Sequence, residues 1–239
     1  IGKGDEVIVT PYTYTASCSV ICHVGAKPVM IDCAPHTIQM DYDRLSQLIN
    51  INTKAIIPVD VGGVPCDYDK VYEAINSKRS VFIPASPLQE MFGRVVVIAD
   101  AAHSLGARRN FIKSGALADF TAFSFHAVKN LTTGEGGAIT WKKHSELDSD
   151  ELYRQFMLLS LHGQTKDALS KTQAGGWEYD IVGPYFKCNM TDIMASIGIA
   201  QLRRFPEMLR RRRKLIEYYN RELSGQGVSV LQHYSDKEH

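Results

Sequence analysis

The run Ser124-Phe125-His126-Ala127-Val128-Lys129-Asn130-Leu131-Thr132-Thr133-Gly134-Glu135-Gly136-Gly137 places one lysine beside a glycine-rich turn. Upstream, Asp119-Phe120-Thr121-Ala122-Phe123 alternates as a strand does, and downstream Ala138-Ile139-Thr140-Trp141 is a second apolar run, so Lys129 is expected on a connection between strands. A loop lysine is ordinarily solvated, because a buried ammonium loses its hydration. Here its neighbours are hydroxylated or glycine, the residue types whose hydroxyls and amides close on an anion. A primary amine in that setting can condense with an aldehyde and, once released, move a proton.

A second candidate is Asp100, which ends the apolar run Val95-Val96-Val97-Ile98-Ala99. An unpaired carboxylate is costly there, and in parallel sheets the carboxyl ends of strands face the ligand crevice. The competing reading is a helix N-cap to Ala101-Ala102-His103. His126 and His162 could act as acid-base groups. Neither has a carboxylate at short fixed spacing, and no metal-binding pattern such as H-x-x-x-H occurs. His126 therefore reads as a packing or hydrogen-bonding residue beside Lys129, and His162 as a helix end.

Three segments together carry a family resemblance. Ser124 to Gly137 resembles the lysine segment of the DegT-type sugar aminotransferases, which use pyridoxal phosphate (PLP). Asp100-Ala101-Ala102-His103-Ser104-Leu105-Gly106-Ala107 resembles that family's Asp-Ala-Ala-His/Gln-x-x-Gly segment, and Phe186-Lys187-Cys188-Asn189-Met190-Thr191-Asp192 resembles the Tyr-Lys-Tyr-Asn-Met-Thr-Asp segment of one branch. The likeness runs from about Gly4 to about Leu223, with departures at Tyr185, where the branch has Gly, and at Cys188, where it has an aromatic. It implies that Lys129 forms the Schiff base with PLP and that Asp100 binds the protonated ring nitrogen. It likewise implies that His103 lies near the phenolic oxygen, Tyr14 stacks on the ring and Ser124 donates to the phosphate. Without the resemblance, Tyr14 would be equally ordinary as a core residue. By the same likeness Asn189 reaches the cofactor phosphate of a partner subunit, making a homodimer with shared active sites. The family's main phosphate cup would lie upstream of Ile1.

The implied activity is transfer of an amino group from glutamate to a nucleotide-linked keto sugar, in cell-surface polysaccharide or deoxyamino-sugar biosynthesis. One alternative is the family's dehydratase branch, which replaces the lysine with histidine. Another is a non-catalytic regulator or scaffold on the same fold.

The elements that must position these residues are legible as alternating strands and helices. Strands are expected at Val7–Val9, Pro28–Ile31, Lys54–Val59 and Val95–Ala99, with helices at Thr13–Val24 and Asp41–Ile49 and another beginning near Asp67. This pattern predicts an α/β fold, a mainly parallel sheet with helices on both faces, which by resemblance is the large domain of a fold type I PLP-dependent transferase truncated at both ends. The stretch from Ser77 to Gly93, with Pro84 and Pro87, reads as an insertion. Further on, helices are expected at Ser145–Ser160, Thr191–Phe205 and Glu207–Leu223, with a polar loop over Gln164–Gly176 and a break at Pro206. The large domain is accordingly placed at 1–205, and a linker helix with the start of a small domain at 206–239.

The 239 residues are 44% hydrophobic and 22% charged, ordinary globular material with length for one large core. A net charge of +1 provides no global field for nucleic acid or membrane. The basic run Arg210 to Lys214 reads as a solvated helix face with Glu207 and Glu217 nearby. The five cysteines include no C-x-x-C pair, which fits reduced thiols and a cytoplasmic setting. No apolar run approaches the length of a membrane span.

Overall fold

The computed structural model of the protein describes residues 1–144, 147–166, 170–172 and 177–231. The chain divides into two compact units, Ile1–Lys142 with Ser196–His239, and Lys143–Ala195.

The first unit carries strands β1 (Glu6–Val9), β2 (Lys27–Met30), β3 (Thr53–Ile57), β4 (Val96–Asp100), β5 (Arg108–Arg109), β6 (Ile112–Lys113), β7 (Phe120–Ser124) and β8 (Gly137–Trp141). Its helices include α1 (Thr15–His23), α2 (Tyr42–Leu48), α3 (Tyr68–Ser77) and α4 (Pro87–Phe92). Six strands form one sheet in the order β2-β1-β3-β4-β7-β8, parallel throughout except that β8 returns antiparallel along β7. The small β5–β6 hairpin turns through Asn110 and Phe111, both at positive φ, and carries no strand pattern of its own in the sequence.

The core explains why the strands are nearly continuous in apolar residues. Val7, Val9, Ala55 and Ile57 bury one face of the sheet with Ile21 of α1, while Ile8, Ile56 and Val97 bury the other with Leu45 of α2 and Val71 and Ile75 of α3. Each such valine, leucine or isoleucine side chain contributes about 1.5–3 kcal/mol on burial. Helix starts are fixed by side-chain caps: Asp41 accepts from the amides of Asp43 and Arg44, Asp67 from that of Lys70, and Ser86 from that of Gln89. The 77–93 segment packs inward through α4, where Gln89 Nε2 donates to Asp5 at 3.2 Å and Phe92 meets Phe120 at 5.9 Å between ring centroids. Arg94 clamps Asp119 through two hydrogen bonds of 2.8 and 2.7 Å, joining the entry of β4 to that of β7. Burial acts to raise the Asp119 pKa, but Arg94, the Val97 amide and Tyr72 outweigh it and hold the carboxyl below its usual range.

In the second unit, α5 (Ser149–Ser160) begins later than the pattern suggested, because Asp148 caps it by accepting from the amides of Asp150 and Glu151. Residues 145–146, where that helix was expected to start, lie outside the described residues, as does most of the 164–176 loop. His162 follows the helix end at positive φ, as expected.

The predicted break at Pro206 does not occur. α6 (Asp192–Leu223) runs continuously for 32 residues with Pro206 inside it. Proline removes the amide that would pair with the Leu202 carbonyl, yet packing on both sides of it holds the helix. Gly106, at φ +91°, leaves the space: a Cβ there would lie 2.7 Å from Leu209 and 3.1 Å from Phe205.

Candidate active site

The pairing of β7 with β8 ends at Ser124 opposite Gly137, and the loop between them closes on its own backbone. Phe125 N donates to Gly136 O at 2.8 Å, Thr133 N to Phe125 O at 2.9 Å, and Lys129 N to His126 O at 3.0 Å. Thr132 and Thr133 serve this closure rather than presenting hydroxyls to an anion: their Oγ1 atoms donate to Phe125 O and Glu135 O at 3.3 and 2.6 Å. Ser124 Oγ accepts from the His126 amide at 3.3 Å, which leaves its own proton free to donate. Asn130 ties the loop to the turn after β4 by donating to His103 O at 2.7 Å and to Leu105 O at 3.2 Å. Arg212 of α6 donates to Asn130 O at 2.8 Å, so this member of the basic run is structural and not only a solvated face.

Asp100 is the last residue of β4. Its Oδ1 accepts from the Ala102 amide at 3.1 Å, and its Oδ2 accepts from Ser17 Oγ at 2.6 Å. Ser17 lies 2.7 Å from Thr13 Oγ1, so a hydroxyl pair from the start of α1 backs the carboxylate. Residues 102–106 form turns, so Asp100 caps a turn and not the helix that its sequence also allowed.

His103 bridges two segments. Its Nε2 is 2.9 Å from Lys129 Nζ, and its Nδ1 accepts from the Gly62 amide at 3.3 Å. Burial and then the Lys129 charge lower its pKa, with Asp100 opposing. His126 Nε2 lies 3.6 Å from Glu135 Oε1, a carboxylate partner that the sequence spacing did not reveal. Tyr14 stands at the N-cap of α1 with no side-chain cap bond, and the residue is 79% exposed.

These residues converge on two adjoining clefts at the carboxyl ends of the parallel strands. One, of about 280 Å³, is lined by residues including Tyr14, Asp60, Asp100, His103 and Lys129. The other, of about 750 Å³, includes Tyr14, Ser17, Asp100, Ser124 and Lys129 in its walls. An amine, an oriented carboxylate, an open aromatic face and a free hydroxyl donor in one cleft fit the requirements of PLP.

Asn189 belongs to the second unit. Its Oδ1 accepts from Lys187 Nζ and its Nδ2 donates to Met190 O at 3.4 Å. Thr191 caps α6, its Oγ1 accepting from the Met194 amide at 3.4 Å.

Sequence reasoning passed over Ser17, Asp60 and Gly62. Asp60 carried a signal, since like Asp100 it is a carboxylate just beyond an apolar strand. Its Oδ1 accepts from the Cys66 amide and Tyr68 hydroxyl at 2.9 and 2.8 Å, and its Oδ2 from Ser104 Oγ at 2.6 Å. Burial pushes its pKa up to about 6.

The chain resembles known proteins over nearly its whole length. The model of the DegT/DnrJ/EryC1/StrS aminotransferase family matches residues 1–239. A structure described as a putative sugar aminotransferase, Spr1654 from Streptococcus pneumoniae, in its PMP form, is 53% identical with a TM-score of 0.94, over 99% of this chain and 59% of that one. Among curated proteins, the uncharacterized protein MJ1066 of Methanocaldococcus jannaschii is 40% identical over 219 residues, 91% of this chain and 51% of that protein. The spore coat polysaccharide biosynthesis protein SpsC of Bacillus subtilis is 36% identical over 220 residues, 92% of this chain and 51% of that protein. The chain thus spans about half the length of the curated relatives it matches.

Proposed function

The chain belongs to the DegT/DnrJ/EryC1/StrS aminotransferase family, and from that premise we propose that the full-length protein is a PLP-dependent aminotransferase passing the amino group of glutamate to a nucleotide-linked keto sugar. The observation that carries this reading is the convergence of Lys129, His103 and Asp100 on one crevice, with Lys129 Nζ 2.9 Å from His103 Nε2. Bound PLP supplies a protonated ring that acts as electron sink for negative charge on the reacting carbon.

The chain's own residues divide the remaining work. Asp100, its Oδ1 and Oδ2 already oriented by the Ala102 amide and Ser17, keeps the proton on the ring nitrogen. Tyr14 offers a flat face to the ring, and Ser124 donates its free hydroxyl proton to the phosphate. Lys129 would hold the cofactor through its amine, and that amine, once released, would move the proton between the substrate's Cα and the cofactor's C4′. His103 faces that amine and would stand near the cofactor's phenolic oxygen.

A sugar substrate is supported by the likeness to Spr1654, a putative sugar aminotransferase, and to SpsC, a spore coat polysaccharide biosynthesis protein, and Lys129 stands where the dehydratase branch has histidine. Asn189 does not cap its own helix, which favours a homodimer in which it completes the partner's phosphate site. A cytoplasmic setting is consistent with five free cysteines and with the finding that, among the described residues, no helix is long and apolar enough to cross a membrane.

The test uses full-length, PLP-loaded protein. Glutamate should discharge the cofactor's aldehyde absorbance, and one of a panel of nucleotide-linked keto sugars should restore it. Loaded protein that glutamate leaves spectrally unchanged would contradict the proposal.

A further inference from the structure

Two turns meet behind the lysine. The first follows β3 and comprises Asp60 and the 3-10 turn Val61–Gly63; the second follows β4 and comprises Asp100 to Gly106. They are joined at three points: Asp60 N donates to Asp100 O at 2.9 Å, Ser104 Oγ donates to Asp60 Oδ2 at 2.6 Å, and Gly62 N donates to His103 Nδ1 at 3.3 Å. The approach is close enough to require glycine: a Cβ on Gly63, at φ +83°, would lie 3.1 Å from His103 O. Ser104 and Asp60 are fully buried, and Ser104 also contacts Ser114 Oγ at 2.7 Å, so this joint is shielded from water.

The consequence falls on the imidazole. A ring nitrogen that accepts from a backbone amide has no room for its own proton, so the neutral ring carries its proton on Nε2. That proton then points at Lys129 Nζ, 2.9 Å away. Only a lysine nitrogen with a free lone pair accepts it, and that lone pair is what attacks a carbonyl carbon. Burial, the largest influence on the His103 pKa, lowers it and so favours the neutral ring.

We propose that the Asp60–Gly63 turn is a positioning element for the lysine chemistry, with Asp60 acting through Ser104 and the Gly62 amide acting on Nδ1 to hold His103 as the Nε2–H tautomer facing Lys129. This rests on the reading of Lys129 as the reactive amine but concerns the contacts that orient His103 from the side away from Lys129. Asp60 sets the turn, the turn sets the imidazole, and the imidazole presents one donor to the amine.

The tautomer is directly measurable by nitrogen NMR of full-length, cofactor-free protein labelled at histidine, with the His103 signals assigned by their loss in His103→Gln. The wild type should show Nε2 protonated and Nδ1 bare. Asp60→Asn, whose amide can still bridge Ser104 and Tyr68, should keep that pattern, whereas Asp60→Ala should lose it and populate the Nδ1–H form. Ser104→Ala removes one of the three joints between the turns, together with the Ser114 contact, and should give the same loss, which preserves the test if Asp60→Ala does not fold. A wild-type ring protonated at Nδ1, or folded Ser104→Ala protein with an unchanged tautomer, would overturn the proposal. Borohydride reduction of PLP-loaded protein with peptide mapping reports separately on the lysine: label on a different lysine would refute the catalytic reading while leaving the tautomer as measured.

Discussion

Ser17 Oγ donates to Asp100 Oδ2 across 2.6 Å, linking helix α1 to the end of strand β4 over 83 positions of sequence. With the Ala102 amide on Oδ1, this bond aims the carboxylate, and a hydrogen bond to a charged group contributes about 1.5–3 kcal/mol. Ser17→Ala should therefore lower kcat of the full-length enzyme by roughly tenfold or more, with a smaller change in KM. Steady-state kinetics and circular dichroism on the same preparation check it; full activity in a folded variant would show that Asp100 needs no such support.

The Ser17 contact also marks how far the sequence could be read. Lys129 and Asp100 are legible as candidates because each sits at the edge of a strongly patterned strand, whereas Tyr14 is singled out only through the family resemblance. The parallel sheet was legible for the same reason, since burial on both faces writes continuous apolar runs. Ser17, Gly62 and Asp60 act across gaps of about forty to eighty residues, and no local periodicity records such a contact. Pro206 failed in the opposite direction: its local rule was right, but Phe205 and Leu209 packed on Gly106 carry the helix through it.

Asp60 has a pH signature in stability. Its folded pKa of about 6 lies above its ordinary 3.8, so the folded state binds the proton more tightly. The stability it contributes is then fully present below about pH 4 and is lost as pH rises through about 6. That gap corresponds to roughly 3 kcal/mol. Urea unfolding at a series of pH values should show a steeper decline between pH 4 and 6 for wild type than for Asp60→Asn. Parallel curves would mean that the buried carboxyl titrates normally.

Subunit sharing is tested by mixing. Lys129→Ala chains combined with Asn189→Ala chains form heterodimers in which, if Asn189 acts on the partner's site, one site carries both lesions and the other neither. Mixing should then raise activity well above that of either variant alone. No gain, with subunit exchange confirmed by mass spectrometry, would assign Asn189 to its own chain.

The most direct measurement is borohydride reduction of the PLP-loaded full-length protein followed by peptide mapping. The visible absorbance should bleach and the reduced cofactor should be found on the peptide carrying Lys129, while Lys129→Ala binds PLP without covalent capture. Label on any other lysine, or capture undiminished in Lys129→Ala, would contradict the account.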